Sequence, residues 1–177
     1  MRAVKNSISF YRARTETYYK RSVALDAPWQ PMEQDRTKPK AIIVDLDGSY
    51  ALIGNRSPYD ASRCHEVDFP HMHVIDAVHL YHQSGYQVIF CSGREDKDRA
   101  STEAFIDKHS PGMEHRLLMR KTGDMRSDDI IKEEIFNAEI KDKYWIGAIF
   151  DDRLKVCKLW YRLGLPLFRV NNPEASF

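Results

Sequence analysis

From Lys40 onward, short β-branched or apolar runs alternate with segments of helical periodicity, and that alternation restricts the chain to a parallel sheet with crossover helices. The runs are Ala41-Ile42-Ile43-Val44, Gln87-Val88-Ile89-Phe90, Arg116-Leu117-Leu118-Met119, Ile146-Gly147-Ala148-Ile149-Phe150 and Leu167-Phe168-Arg169-Val170. Those starting at 41, 87 and 146 are apolar at both alternations, the pattern of strands covered by helices on both faces. Between them Ile75, Val78 and Tyr81 recur at helical spacing, with Asp68 and Pro70 marking a start and Gly85 a stop. Ser127 is placed to cap a helix carrying Ile131, Ile135 and Ala138 inward, and Val156, Leu159, Trp160 and Leu163 make another apolar face ended by Gly164. A further helix is expected over 98–109 with Phe105 and Ile106 inward. The expected fold is α/β: a five-stranded parallel sheet of order 3-2-1-4-5 with helices on both faces.

A chain of 177 residues suits one well-buried domain with a short appendage. Pro28, Pro31 and Pro39 punctuate a mixed-charge stretch from Ala27 that reads as a linker. The expected division is therefore a basic segment with its linker over 1–39 and the sheet domain over 40–177. The first 22 residues hold Arg2, Lys5, Arg12, Arg14, Lys20 and Arg21 against Glu16, interleaved with Tyr11, Tyr18 and Tyr19, although the whole chain carries only +1. That local patch suits either a phosphate backbone or a packing neighbour. No apolar run is long enough to cross a bilayer and no cleavable leader is recognisable, so the expectation is a cytoplasmic protein without a membrane partner. Cys64, Cys91 and Cys157 are odd in number and lack CxxC spacing, which argues for reduced thiols.

The chemistry concentrates at predicted strand ends. The first strand runs into Asp45-Leu46-Asp47-Gly48-Ser49 and the fourth into Asp151-Asp152. In the order 3-2-1-4-5 these strands flank the crevice where a ligand binds. Carboxylates gathered at close range raise one another's pKa unless a cation neutralises them, and an oxygen-only donor set favours Mg²⁺. The i, i+2 spacing of Asp45 and Asp47 directs both to one face, where Asp45 attacks phosphorus and Asp47 handles the proton of the leaving and entering oxygens. Ser92-Gly93-Arg94 follows the second strand and offers a hydroxyl, an amide and a guanidinium to phosphate oxygens. Lys132 is placed to neutralise the nucleophile, with Asp128 four residues earlier to hold it by an i, i+4 pair.

DLDGS, CSGR, RKTGDMRSDDIIKEEIF and FDDR, together with NRSPYD at 55–60, resemble the haloacid dehalogenase (HAD) superfamily. The closer resemblance is to the 3′-phosphatase domain of bacteriophage-type polynucleotide kinase/phosphatase, over roughly Lys38 to Val170. It implies a HAD-like Rossmannoid fold with a minimal cap, an aspartyl-phosphate on Asp45 and acid/base work by Asp47. It implies phosphoryl binding by Ser92 and Lys132, and Mg²⁺ held by Asp45, the Asp47 backbone carbonyl, Asp152 and its neighbour Asp151. It maps substrate-phosphate arginines onto Arg56, Arg94 and Arg120, and implies a Mg²⁺-dependent phosphatase acting on RNA or DNA 3′-phosphate ends, with 2′,3′-cyclic ends as a further substrate. The GxxxxGK[ST] loop of the family's kinase domain is absent from these 177 residues, so no 5′-kinase activity is expected of them, and a kinase domain or other repair protein is the expected partner.

The segment between Tyr50 and Pro70 is too short for a large lid, which favours an open site and a polymer end. A HAD phosphatase of nucleotides or sugar phosphates is the rival reading, and a non-catalytic module for nucleic-acid ends is the other. His65, His71, His73, His79 and His82 lack the spacing of a zinc site, and Cys91 reads as a small core residue.

Overall fold

The computed structural model describes residues 30–171. Its main sheet holds β1 (Lys40–Val44), β4 (Gln87–Glu95), β5 (His115–Arg120), β6 (Trp145–Asp151) and β7 (Leu167–Arg169). The order is β5-β4-β1-β6-β7. All four pairings are parallel, which is the expected 3-2-1-4-5 arrangement.

Strand alternation divides the core in two. Ile42, Val44, Val88, Phe90, Ala148 and Phe150 face α2 (Met72–Gln83) and α3 (Arg99–His109), which contribute Ile75, Val78, Phe105 and Ile106. Ala41, Ile43, Ile89, Cys91 and Ile149 face the other way, onto α4 (Asp128–Ile135) and α5 (Leu154–Arg162). Gly85 and Gly164 follow α2 and α5 at φ of +79° and +70°, the left-handed conformation that ends a helix and that glycine adopts without strain.

Three details differ from the sequence reading. First, Asp68 and Pro70 do not open α2. Phe69–Pro70 (β3) instead pairs antiparallel with Ala51–Leu52 (β2), and with the short helix α1 (Cys64–Val67) it forms the small cap over 51–70. His71 then stands at the N-cap of α2. Second, α4 widens at Ile135 into a π-turn, Phe136–Ile140, with Lys141 N donating to Phe136 O at 2.8 Å. Five-residue closure rotates the inward face, so Phe136 and Ile140 are buried and Ala138 is exposed. Third, Ser127 occupies the N-cap of α4 without a side-chain cap; its hydroxyl turns to Asp129 and accepts from Lys155.

Residues 31–39 lie in the same compact unit as the sheet. Met32 N donates to Gly164 O at 2.8 Å, and the Gln34 amide exchanges hydrogen bonds with the backbone of Ile146. The basic stretch at 1–22 lies outside the described residues. No described helix is long and apolar enough to cross a membrane.

Candidate active site

Beyond β1 the chain keeps contact with the sheet for one more residue, Asp45 N donating to Phe150 O at 2.9 Å, before Gly48 turns it at φ +89°. A Cβ at Gly48 would collide with the Asp152 carboxylate, so only glycine lets this loop close on the neighbouring strand tip. Leu46, fully buried, anchors the loop from beneath.

Asp45, Asp151 and Asp152 are all buried, and each offers a carboxylate oxygen within 4.8 Å of the others. Asp45 and Asp152 are thus close enough to share a cation. Lys132 reaches in from α4, its ammonium 2.6 Å from Asp45 Oδ1 and 2.8 Å from Asp151 Oδ2. The Trp160 indole donates to that same Asp151 oxygen at 3.1 Å, and Arg153 N donates to Asp151 Oδ1 at 3.3 Å. Burial, and after it the charges of Asp151 and Asp152, push Asp45 up to about 8 despite the opposing pull of Lys132. Burial and then Asp151 also raise Asp152. Burial would lower the Lys132 ammonium, but Asp151 and Asp45 outweigh it and hold the lysine charged. One buried cation thus faces three carboxylates, an imbalance that a divalent ion with oxygen preference would relieve, and the all-oxygen donor set fits Mg²⁺.

The Asp47 carboxylate stands apart from this cluster, leaving only its backbone carbonyl for the ligand role that the resemblance assigns. Arg94 binds it through Nη2 at 2.6 Å and Nε at 3.0 Å, and Arg56 through Nη2 at 2.5 Å. Both arginines also reach Asp68 Oδ2, at 3.1 Å and 2.6 Å, and the Asp68 side chain is fully buried. Burial raises Asp47, but the hydrogen bond and charge of Arg94, then those of Arg56, outweigh it and hold the carboxyl below the usual range. The carboxylate pair expected to act together is therefore split by environment, Asp45 raised and Asp47 lowered.

Ser92, Gly93 and Arg94 lie where the register of β4 against β5 slips between Ser92 and Glu95. Such a bulge re-aims side chains at a strand end. The Ser92 hydroxyl accepts from Arg94 N at 3.1 Å. Gly93 matters for its missing side chain, because a Cβ there would press within 2.9 Å of Asp128 Oδ1. Asp128 does not pair with Lys132 as the i, i+4 spacing suggested. The buried carboxylates capture the lysine, and Asp128 instead bridges Arg120 and Arg153. Arg120 further donates to the backbone carbonyls of Gly93, Asp124 and Arg126. All three mapped arginines are thus engaged by protein acceptors, two of them around Asp47 and one at Asp128.

Asp45, Asp47, Ser92, Arg94, Lys132 and Asp152 line one cavity of about 780 Å³, while Arg56 and Asp151 lie behind its wall. Its lining adds the cations Arg126, Arg153, Lys155, Lys158 and Arg169 and the carboxylates Glu95, Asp98, Asp124 and Asp128. Sequence reasoning missed Asp68 and Arg153. Arg153 was visible as the last letter of FDDR, whereas Asp68 offered no local signal because its partners lie 12 and 26 positions away. Among the described residues no histidine joins a metal-capable cluster; His71 bonds Ser49 O and His79 bonds the Ser110 hydroxyl. The cysteines are free and buried, and burial pushes the Cys91 thiol up to about 12, away from nucleophilic use.

A parallel sheet of this order, with acidic residues at two adjacent strand tips, a strand-end serine and a buried lysine between the carboxylates, defines a HAD-type phosphatase fold. The sequence matches the polynucleotide kinase PNKP phosphatase domain over residues 39–174, and the chain belongs to that family. A protein of Autographa californica nuclear polyhedrosis virus, named as a bifunctional polynucleotide kinase/RNA ligase, is 35% identical over 141 residues, which are 78% of this chain and 20% of the viral protein. A chain of the Pnkp1/Rnl/Hen1 RNA repair complex superposes with TM-score 0.78 at 39% identity, covering 85% of this chain and 48% of its own. The chain thus spans about a fifth and about half of these two relatives. A class C acid phosphatase from Bacillus anthracis shares the fold, with TM-score 0.52 at 16% identity over 75% of this chain and 67% of that one.

Proposed function

We propose that this chain is a Mg²⁺-dependent polynucleotide 3′-phosphatase that works through an aspartyl-phosphate on Asp45 and also accepts 2′,3′-cyclic phosphate ends in nucleic-acid repair. The observation that carries the reading is the Lys132 ammonium between Asp45 and Asp151, with Asp152 alongside, at the floor of an open cavity. Asp45, Asp152 and Asp151, with the Asp47 carbonyl, would hold Mg²⁺, which when bound supplies the positive charge that keeps Asp45 ionised and screens the phosphate.

The Asp45 carboxylate attacks phosphorus, the bond from phosphorus to the 3′-oxygen breaks, and Asp47 delivers a proton to that oxygen. In the free protein Arg94 and Arg56 keep Asp47 ionised. A phosphate dianion drawn to Arg94, the one of the two that lines the cavity, takes up part of its charge, which raises Asp47 and lets it carry the proton when a leaving group is present. Asp47 then removes a proton from water, whose oxygen attacks phosphorus, and Asp45 is released with inorganic phosphate. Lys132 balances the charge on Asp45 and on the transferring phosphoryl group, assisted by Ser92 and the Gly93 amide. Arg120 binds the phosphate or fixes Asp128 and the Gly93 wall.

The polymer substrate is supported by the family, by relatives named for polynucleotide kinase, RNA ligase and RNA repair, and by the lysines and arginines lining a site with only a small cap. Kinase and ligase units are the partners those relatives suggest. The test compares phosphate release from a 3′-phosphorylated oligonucleotide and from the free 3′-nucleotide, with and without Mg²⁺, in the wild type and in Asp45→Asn. The expected outcome is preference for the oligonucleotide, dependence on Mg²⁺, and loss of turnover in a variant whose far-ultraviolet circular dichroism is unchanged. Preference for the nucleotide would make this a small-molecule phosphatase, and binding without turnover would make it an end-binding module.

A further inference from the structure

Tyr59 is 88% exposed, an unusual position for a large aromatic ring, and it lines the cavity that holds Asp45 and Lys132. Its loop is not loose. Pro58 precedes it and fixes φ at that position. Tyr59 N donates to the Ser57 hydroxyl at 3.2 Å, and Asp60 N donates to Ser57 O at 3.1 Å. Arg56 donates to the carbonyls of Ser57 and Asp60, at 3.1 Å and 3.2 Å, while its other nitrogens hold Asp47 and Asp68. The guanidinium that grips Asp47 therefore also sets the loop that presents Tyr59. A ring carried on a hydrogen-bonded turn, facing solvent and lining a cavity with room for a nucleotide end, contributes little to folding but can bind a flat partner.

The rest of the rim indicates which flat partner. Lys155 and Lys158 add positive charge to a cavity of mixed lining, and a polymer bearing both phosphates and planar bases matches a site that offers lysines and an aromatic platform. Resting on the reading of the site as a polynucleotide 3′-phosphatase, we infer that Tyr59 is the stacking platform for the base of the 3′-terminal nucleotide, orienting the terminal phosphate toward Asp45. Stacking engages the face of a base, not its edge, so the four terminal bases are accepted alike. The PY pair of NRSPYD thereby gains a role separate from that of Arg56.

The experiment measures KM for a 3′-phosphorylated oligonucleotide ending in a normal nucleotide and for the same oligonucleotide ending in an abasic residue. Base stacking of about 1–3 kcal/mol corresponds to a preference of roughly 5- to 150-fold for the base-bearing end in the wild type. In Tyr59→Ala the two KM values converge, and in Tyr59→Phe the preference is retained. No preference in an active wild type, or a preference that survives Tyr59→Ala, would overturn the stacking role alone. A wild type that releases phosphate from neither oligonucleotide would remove the underlying phosphatase reading, and the stacking role with it.

Discussion

Asp47 shows how far one side chain's chemistry depends on its neighbours. Its carboxyl is held below the ordinary value of 3.8 because Arg94 and Arg56 together outweigh the effect of burial. A group with a lowered folded-state pKa contributes its stability in full above its unfolded pKa and loses that contribution as pH falls through the lowered value. Asp47→Asn, which leaves two buried guanidinium groups with Asp68 as their one shared carboxylate, should therefore cost about 3 kcal/mol near neutral pH, with the gap to wild type closing in acid. Urea unfolding of both proteins across that range measures it, and a gap of constant size would refute the ionic origin. From the DxD spacing one expects a nucleophile and an acid/base, but not that one carboxyl would be raised and the other lowered. That split comes from Arg56, Arg94 and Asp68, separated from Asp47 by 9, 47 and 21 positions and joined to it only by folding.

At the level of elements, helix α5 has a second task. Its apolar face was legible from the spacing of Val156, Leu159 and Trp160, and all three are buried against the sheet. Periodicity registers the indole as bulk, yet its N–H donates to the same buried Asp151 oxygen that Lys132 holds. Trp160→Phe keeps most of the packing and removes the donor. We expect a loss of about 2 kcal/mol in stability, in the range for a hydrogen bond to a charged group, with a several-fold fall in kcat and little change in KM. Thermal unfolding and steady-state kinetics check both, and an unaltered kcat would confine Trp160 to packing. The π-turn at Phe136–Ile140 and the β2–β3 ribbon escaped the sequence reading for a common reason. Both are short departures from regular period, settled by what the segment packs against rather than by its own propensity.

Across the whole molecule, the sheet gathers negative charge that the protein balances only in part. Three buried carboxylates meet a single buried lysine, so a cation that binds the folded chain and not the unfolded one should stabilise it. With Mg²⁺ at about 100 times its dissociation constant the gain is about 2.7 kcal/mol, seen as a rise of several degrees in melting temperature. In Asp152→Asn the Mg²⁺-dependent rise should be largely lost, with or without any substrate present. A wild-type melting temperature indifferent to Mg²⁺ would remove the cation from the site.

The sequence alone determined the alternation of strands and helices, the strand order and the strand-tip positions of Asp45, Ser92 and Asp151-Asp152, because hydrophobic period and parallel-sheet topology are local or combinatorial rules. It also placed Lys132 near Asp45, though with the wrong anchor. Only the tertiary structure decided which charges pair: Lys132 with Asp45 and Asp151, Asp128 with Arg120 and Arg153, and Asp47 with two arginines. Ion pairing in a buried site is set by distance and desolvation, and these arise from segments far apart in the chain that no spacing rule connects.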